Sequence, residues 1–228
     1  MSKKIKIVSA TNCSKEQFEK ESTLWRCRER FKHIEFDVIY DNFTGLPNVY
    51  NRFLNQENKD YINVFVHDDV EIFSNDLEQA LNNSPWDITG LAGGLGYTLK
   101  EPYLWHLSCP SDKLSGAVTH PVWYQQDGVI IKSENQVIPS VYGPWPKRCT
   151  VIDGLFMAVN VEKALETGFK FDEDFNFHFY DISSCLIANQ CKMTVGTYPI
   201  HVVHQGLGDS AMSEEWKKER AKFIKKWN

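Results

Sequence analysis

An imidazole and two carboxylates stand directly behind an apolar run in Val64-Phe-Val-His67-Asp68-Asp69-Val70. Adjacent carboxylates repel unless a cation or hydrogen-bond donors offset them. Side chains alternate along an extended chain, so His67 and Asp69 fall on one side and Asp68 on the other. Such donors suit a hard divalent cation that also takes diphosphate oxygens, although Asp-Asp can equally be a turn that ends a strand. Asp153-Gly154 joins an acid to the residue that permits close ligand approach, and is also a frequent turn. Asp181 follows Phe177-His-Phe-Tyr and opens a helical stretch. A carboxylate there can take a proton from an attacking hydroxyl or serve as an N-cap, and the two roles are compatible. Asp172 and Asp174 are its nearby rivals. In His201-Val-Val-His204 the β-branched centre favours an extended chain, which points the two rings oppositely. Only one can then reach a shared site. His204 adjoins Gln205-Gly-Leu-Gly, a stretch able to close over a ligand, while His201 is expected to be buried and hydrogen-bonded.

These side chains need a scaffold, and the pattern supplies one. Ile5–Ala10, His33–Tyr40, Tyr61–Val66 and Trp86–Ala92 read as strands. Lys15–Phe31, Leu46–Leu54 (with Pro47 in its first turn) and Asp76–Leu81 read as helices between them. The alternation predicts an α/β fold with parallel strands and crossover helices. Ligands of open α/β sheets sit beyond the carboxyl ends of the strands, where Ser9, Thr11, Asp41 and His67–Asp69 lie. Residues 93–150 hold Pro102, Pro110, Pro121, Pro139, Pro144 and Pro146 and no long periodic run, so loops and short antiparallel strands are expected, Gly128–Lys132 among them. Gly93-Gly94-x-Gly96 lacks the Lys-Ser/Thr ending of a phosphate loop and reads as backbone flexibility. Trp105, Trp123 and Trp145 in this region could stack on a sugar or simply pack. Regularity returns with a strand over Val151–Asn160, helices over Val161–Thr167 and Asp181–Gln190, a strand over Met193–Val203 and a terminal helix from Ser213. No repeat or linker divides the 228 residues, and one domain is expected.

Composition narrows the partners. Lys and Arg number 25 against 30 Asp and Glu, a net charge of −5, which disfavours a broad grip on nucleic-acid phosphates. No run of 18 apolar residues spans a membrane. Six cysteines without a CxxC pair, behind a start that has no signal-peptide pattern, imply reduced thiols and a cytoplasmic location. Trp216–Trp227 carries six basic residues and one acid, and Trp216, Phe223, Ile224 and Trp227 share one helical face. That face either packs on the domain or lies on an anionic membrane, as a peripheral contact.

Tyr50-Asn51 through Asn63-Val-Phe-Val-His-Asp-Asp-Val resembles the DxD-type region of the small, family-2-like GT-A glycosyltransferases. Val151-Ile-Asp-Gly-Leu-Phe-Met-Ala is similar to that family's Asp-Gly-x-x-Met-Ala strand. Phe171-Asp-Glu-Asp-Phe…Phe177-His-Phe-Tyr-Asp is similar to its later acidic segment, and Ile200-His-Val-Val-His-Gln-Gly-Leu-Gly to its closing His-plus-glycine segment. The resemblance implies a Rossmann-like mixed sheet flanked by helices. Its parts would be a nucleotide-binding half (1–92), a coil-rich insertion (93–150), an acceptor and catalytic half (151–212) and an amphipathic C-terminal helix (213–228). It implies inverting, metal-dependent transfer of a sugar from a nucleotide-diphosphate donor, a UDP-sugar, to the hydroxyl of a glycan or lipid-linked glycan. Mn²⁺ or Mg²⁺ would sit on Asp69 and His204. Ser9, Thr11, Asp41, Asn51 and Asp68 would hold the nucleotide, Asp153 and Gly154 the sugar or acceptor, and Asp181 would be the catalytic base. His67 stands where the family's first Asp usually stands. A sugar- or nucleotide-binding protein that has lost transfer is the rival reading, and an α/β nucleotide hydrolase a third.

Overall fold

The computed structural model describes residues 2–99, 104–206 and 213–228. Its strands are β1 (Lys4–Ala10), β2 (Glu35–Ile39), β3 (Tyr61–Val66), β4 (Val70–Ile72), β5 (Ile88–Gly90), β6 (Ala92–Gly94), β7 (Leu114–Gln126), β8 (Val129–Gly143), β9 (Lys147–Arg148), β10 (Val151–Ile152), β11 (Phe156–Asn160), β12 (Val195–Thr197) and β13 (Val202–His204). The helices are α1 (Lys15–Glu21), α2 (Thr23–Cys27), α3 (Leu46–Tyr50), α4 (Leu77–Asn83), α5 (Trp105–Ser108), α6 (Val161–Thr167), α7 (Tyr180–Gln190) and α8 (Glu214–Trp227).

One sheet runs β2-β1-β3-β11-β5-β12-β9. β1 is parallel to β2 and β3, as alternating strands and helices predict. β11 enters antiparallel between β3 and β5, which makes the sheet mixed. Covered on both edges, β3 is buried from Ile62 to Val66, and its carboxyl end delivers His67–Asp69 to the rim. A second sheet runs β10-β6-β7-β13-β4, with β8 paired to β7. The chain passes between the sheets at Leu91, so the expected strand over Trp86–Ala92 is two short ones. The buried Leu91 carbonyl accepts from the Ala117 N–H (3.2 Å) and the Trp145 indole (3.1 Å), which satisfies the backbone at the crossing.

Further expectations change, among them the strand over Val151–Asn160, which divides into β10 and β11, one in each sheet. The helix over Lys15–Phe31 breaks at Ser22, whose N–H closes α1 on the Phe18 carbonyl (2.9 Å) while its hydroxyl caps α2 at the Trp25 N–H (3.2 Å). That hydroxyl also reaches the Asp68 carbonyl (2.6 Å), so the break ties the helix pair to the acidic turn. The expected coil-rich insertion instead contains the long antiparallel hairpin β7–β8. Its prolines do not forbid pairing because Pro121 stands at a register shift and Pro139 on β8, which among the described residues pairs with β7 alone and so is an edge strand, where proline is tolerated. The strand expected over Met193–Val203 divides into β12 and β13, one in each sheet.

α8 packs on the protein through the apolar face seen in its sequence. Phe223 is fully buried and stacks on Phe179 (centroids 5.2 Å apart), and the Trp227 indole donates to Ser183 Oγ (2.8 Å). Lys226 contacts both carboxylate oxygens of buried Asp172 (2.7 Å each) and Asp174 (2.7 Å). Among the described residues, no helix is long and apolar enough to cross a membrane. Phe223→Ala should cost about 3–5 kcal/mol through transfer and cavity terms, lowering Tm by on the order of 10 °C. Lys218→Ala on the exposed face should leave Tm within about a degree, and thermal denaturation of the two variants checks both values.

Candidate functional site

Two backbone connections place the acidic turn. The His67 N–H donates to the Leu155 carbonyl (3.1 Å), which fixes the end of β3 against the Asp153-Gly154 turn. Beyond it, β4 pairs antiparallel with β13, setting Val70 opposite His204, and the Gln205 N–H donates to the Asp69 carbonyl (2.9 Å). The His204 Nε2 consequently lies 3.2 Å from Asp69 Oδ2. One donor atom from each of His67, Asp69 and His204 falls within 4.8 Å of the others. His67 and Asp69 share a side, as strand alternation predicts, and His67 joins the cluster although the family resemblance assigned it no role there. His201 turns away as expected but is exposed rather than buried, with Nε2 3.5 Å from Thr119 Oγ1.

The cluster fits a divalent cation on two further counts. Asp69 Oδ1 is buried and has no hydrogen-bond partner, a costly state for a carboxylate unless something else satisfies it. A Cβ placed on Gly206 would collide with Asp69 Oδ2, so glycine keeps the approach to the carboxylate open. Burial alone would raise the Asp69 pKa, but the His204 contact outweighs it and holds the carboxyl below its usual range. Burial pulls His204 down and the Asp69 charge more than restores it, leaving that imidazole raised. For His67 burial wins and lowers the pKa, which favours the neutral, ligating ring.

Cavities flank this cluster. One of about 310 Å³ is walled by His67, Trp105, Asp153, Gly154, Phe177 and Asp181, among others. Gly154 explains how the wall closes: its N–H donates to Asp181 Oδ2 (2.9 Å), and a Cβ there would strike the Asp181 and Tyr180 side chains. Tyr180 Oη donates to the Gly154 carbonyl (2.7 Å) and lies 3.2 Å from His67 Nε2, linking the two ends of the cavity. Asp153 accepts from the Trp105 indole (3.2 Å), which makes this tryptophan part of the wall. Asp181 occupies the first turn of α7, one residue inside the helix, while Phe179 stands at the N-cap with φ 62°. Burial and the Asp153 charge push its pKa up to about 7, against two backbone N–H donors, Gly154 and Ile182, that pull the other way. A second cavity, about 420 Å³, is bounded by Thr11, Asn42, Phe43, Asp68, Phe177 and Glu215.

The other sequence candidates divide. Thr11 is buried at this second cavity, and Asp68 lines it. Ser9 is fully buried with its hydroxyl unpartnered. Asp41 is exposed at φ 48° and absent from the cavity wall, where its neighbours Asn42 and Phe43 stand. Asn51 is committed elsewhere: its amide donates to the Phe171 carbonyl (3.0 Å) and Glu173 (2.8 Å), and its oxygen accepts from the Phe171 N–H (2.8 Å). It lines neither cavity. Asp172 is tied to Ser183 and Lys226, and Asp174 to Lys226, on the α8 side. Leu207-Gly208 of the closing glycine segment lies outside the described residues.

With this geometry in place, the profile of the "Glycosyltransferase like family" matches residues 32–227. The chain belongs to this glycosyltransferase-like family. Its fold is GT-A. GalNAc-T7, crystallised with UDP, GalNAc and Mn²⁺, superposes on the glycosyltransferase-like chain with a TM-score of 0.53 at 11% identity. The alignment covers 99% of this chain and 49% of that one, so the chain spans about half the length of GalNAc-T7. A197 from STIV gives a TM-score of 0.46 at 13% identity, covering 92% of this chain and 98% of that one. Comparison with curated protein sequences finds no match.

Gly206→Ala should weaken Mn²⁺ binding about tenfold or more with Tm little changed, because the new methyl displaces the Asp69 carboxylate without touching the core. Asp69→Ala should abolish calorimetric Mn²⁺ binding. Unaltered affinity in both variants would remove the cluster as a cation site.

Proposed function

We propose that this glycosyltransferase-like chain transfers a hexosyl unit, with inversion, from a nucleoside-diphosphate sugar to the hydroxyl of a glycan or lipid-linked glycan. The observation that carries the reading is that the His67 ring and the Asp181 carboxylate wall the same cavity. A cation cluster at one end and a carboxylate titrating near neutrality at the other are the two groups that such a displacement needs. UDP is the favoured nucleotide, supported by the fold shared with GalNAc-T7, whose crystals hold UDP.

The residues divide the work. Thr11, Asn42, Phe43 and Asp68 bound the cavity that would take the nucleoside. Mn²⁺ or Mg²⁺ held by His67, Asp69 and His204 would supply Lewis-acid neutralisation of the departing diphosphate. Asp153, fixed by the Trp105 indole, faces the sugar hydroxyls. Asp181 receives the acceptor proton. Its two backbone donors hold the carboxylate in place, while burial keeps it basic enough to act near neutral pH. Six free cysteines, four of them buried, suit a reducing compartment such as the cytoplasm. Because α8 uses its apolar face for packing, contact with anionic lipid falls to its exposed lysines, Lys218 and Lys225 among them.

Two measurements test the mechanism. Asp181→Asn should reduce transfer about 10²- to 10⁴-fold, with UDP and Mn²⁺ affinity within a few-fold, and wild-type product should show inverted configuration by NMR. Retention of configuration, or near-normal rates in Asp181→Asn, would overturn the assignment of the base. The second concerns pH. A base must be ionised to act, so kcat/KM should rise with pH and level off above about 7. Asp153→Asn removes the charge that helps raise the Asp181 pKa, so the rising limb should move to lower pH, whatever the loss in absolute rate.

A further inference from the structure

One short segment, Phe175–Phe179, borders both cavities and the His67 ring, and none of the sequence motifs explains what holds it. Phe177 walls both cavities and stacks on the His67 ring (centroids 5.5 Å apart, planes 28° apart) while remaining 45% exposed. An exposed ring held in stacking needs a fixed backbone beneath it, since side-chain entropy opposes the arrangement. That backbone is gripped from two directions. On one side, the Leu46 N–H donates to the Asn176 carbonyl (2.8 Å), and Gly45 comes so close that a Cβ would strike Asn176 Cα. This side continues the Asn42–Thr44 wall of the second cavity. On the other side stands Glu219 of α8, buried at 7% exposure. One of its carboxylate oxygens accepts from the Asn176 N–H (2.6 Å) and the other from the His178 N–H (2.8 Å). The two bonds straddle Phe177. Immediately after, Phe179 takes a left-handed conformation unusual for a bulky residue, and Phe223 and Trp216 of α8 pack on its ring.

We propose that Glu219 is a positioning residue of the transfer site: it clamps the Asn176 and His178 amides, and through them fixes Phe177 against His67 and shapes both cavities. The role of the cavities as donor and acceptor sites rests on the function proposed above; the clamp does not. A carboxylate suits this task because it presents two acceptors and no donor, so both amides can be satisfied by one side chain without conflict. Burial of the Glu219 carboxylate makes each bond costly to lose, since a charge with little access to water depends on its remaining donors. α8 thereby contributes more than stability. Lys226 docks the same helix through Asp172, Asp174 and the Phe175 ring (Nζ 5.9 Å from the centroid), not through the Asn176 and His178 amides that Glu219 holds, which gives a control.

The experiment compares Glu219→Ala, Glu219→Gln and Lys226→Ala in the full chain. Amide exchange at Asn176 and His178 should accelerate about tenfold or more in Glu219→Ala, and less in Glu219→Gln, which retains one acceptor. The ring protons of His67 should shift in the NMR spectrum of Glu219→Ala as Phe177 leaves its stack, and stay in place in Lys226→Ala. UDP affinity in the presence of Mn²⁺ should fall about tenfold or more in Glu219→Ala and partly recover in Glu219→Gln, while Lys226→Ala of similar Tm loss keeps it. Unchanged exchange at both amides together with unchanged His67 resonances would overturn the proposal. So would an equal loss of UDP affinity in Lys226→Ala, which would mean that helix docking alone sets the site. A wild type that binds no UDP would count against the proposed function, leaving exchange and the His67 resonances to decide the clamp.

Discussion

The site depends on the antiparallel register between β4 and β13, which are held together across more than a hundred residues of chain. Pairing Val70 with His204 puts an imidazole against the Asp69 carboxylate just where the sheet rim begins to exclude water. A slip of one residue would turn the His204 ring to the opposite face, because side chains alternate with a period of two. Asp69 would then be a half-buried charge without its counterpart, a less favourable state. Val202 and Val203, buried on opposite faces of β13, anchor this strand in the core beside the pair.

Around that pair the electrostatics are decided by burial more often than by charge. His67 and Asp181 both shift toward their neutral forms because the aromatic wall removes water. The outcome differs at Asp69 because desolvation, although the largest single influence, is outweighed by the hydrogen bond from His204 at 3.2 Å together with the attraction of the neighbouring imidazoles. Three acids close to one cavity therefore behave differently. Asp69 stays ionised, Asp153 is oriented by an indole, and Asp181 is poised near neutrality. Separating pKa values by environment in this way is how neighbouring carboxylates take different roles.

The aromatic content of the chain serves the same end. Phe175, Phe179 and Phe223 form a buried cluster beneath the Phe175–Phe179 segment, so that α8 and the cavity wall share one core. A left-handed backbone at Phe179 persists because the packing around it overdetermines that conformation. The break at Ser22 works similarly on the opposite flank, giving up helix continuity to cap α2 and hold the Asp68 carbonyl.

By itself the sequence determined the local elements and the chemistry of single positions. Strand alternation put His67 and Asp69 on one side, the β-branched Val202-Val203 separated His201 from His204, and the amphipathic spacing of Trp216, Phe223 and Trp227 marked the packing face of α8. These are properties of neighbours in the chain, set by backbone period and side-chain shape. Tertiary structure alone decided the rest. Proline count concealed the β7–β8 hairpin, because whether a missing N–H matters depends on the strand's place in the sheet. Asn51 carries the same donors as a nucleotide ligand, yet it binds the Phe171 backbone and Glu173, over a hundred residues away. Trp105 becomes a wall of the site through its bond to Asp153 and its packing on Tyr142, and Glu219, one acid in a run of lysines, shows its role only once two amides from a distant loop meet it. Contacts between residues far apart in sequence follow from sheet order and packing, and no local pattern encodes them.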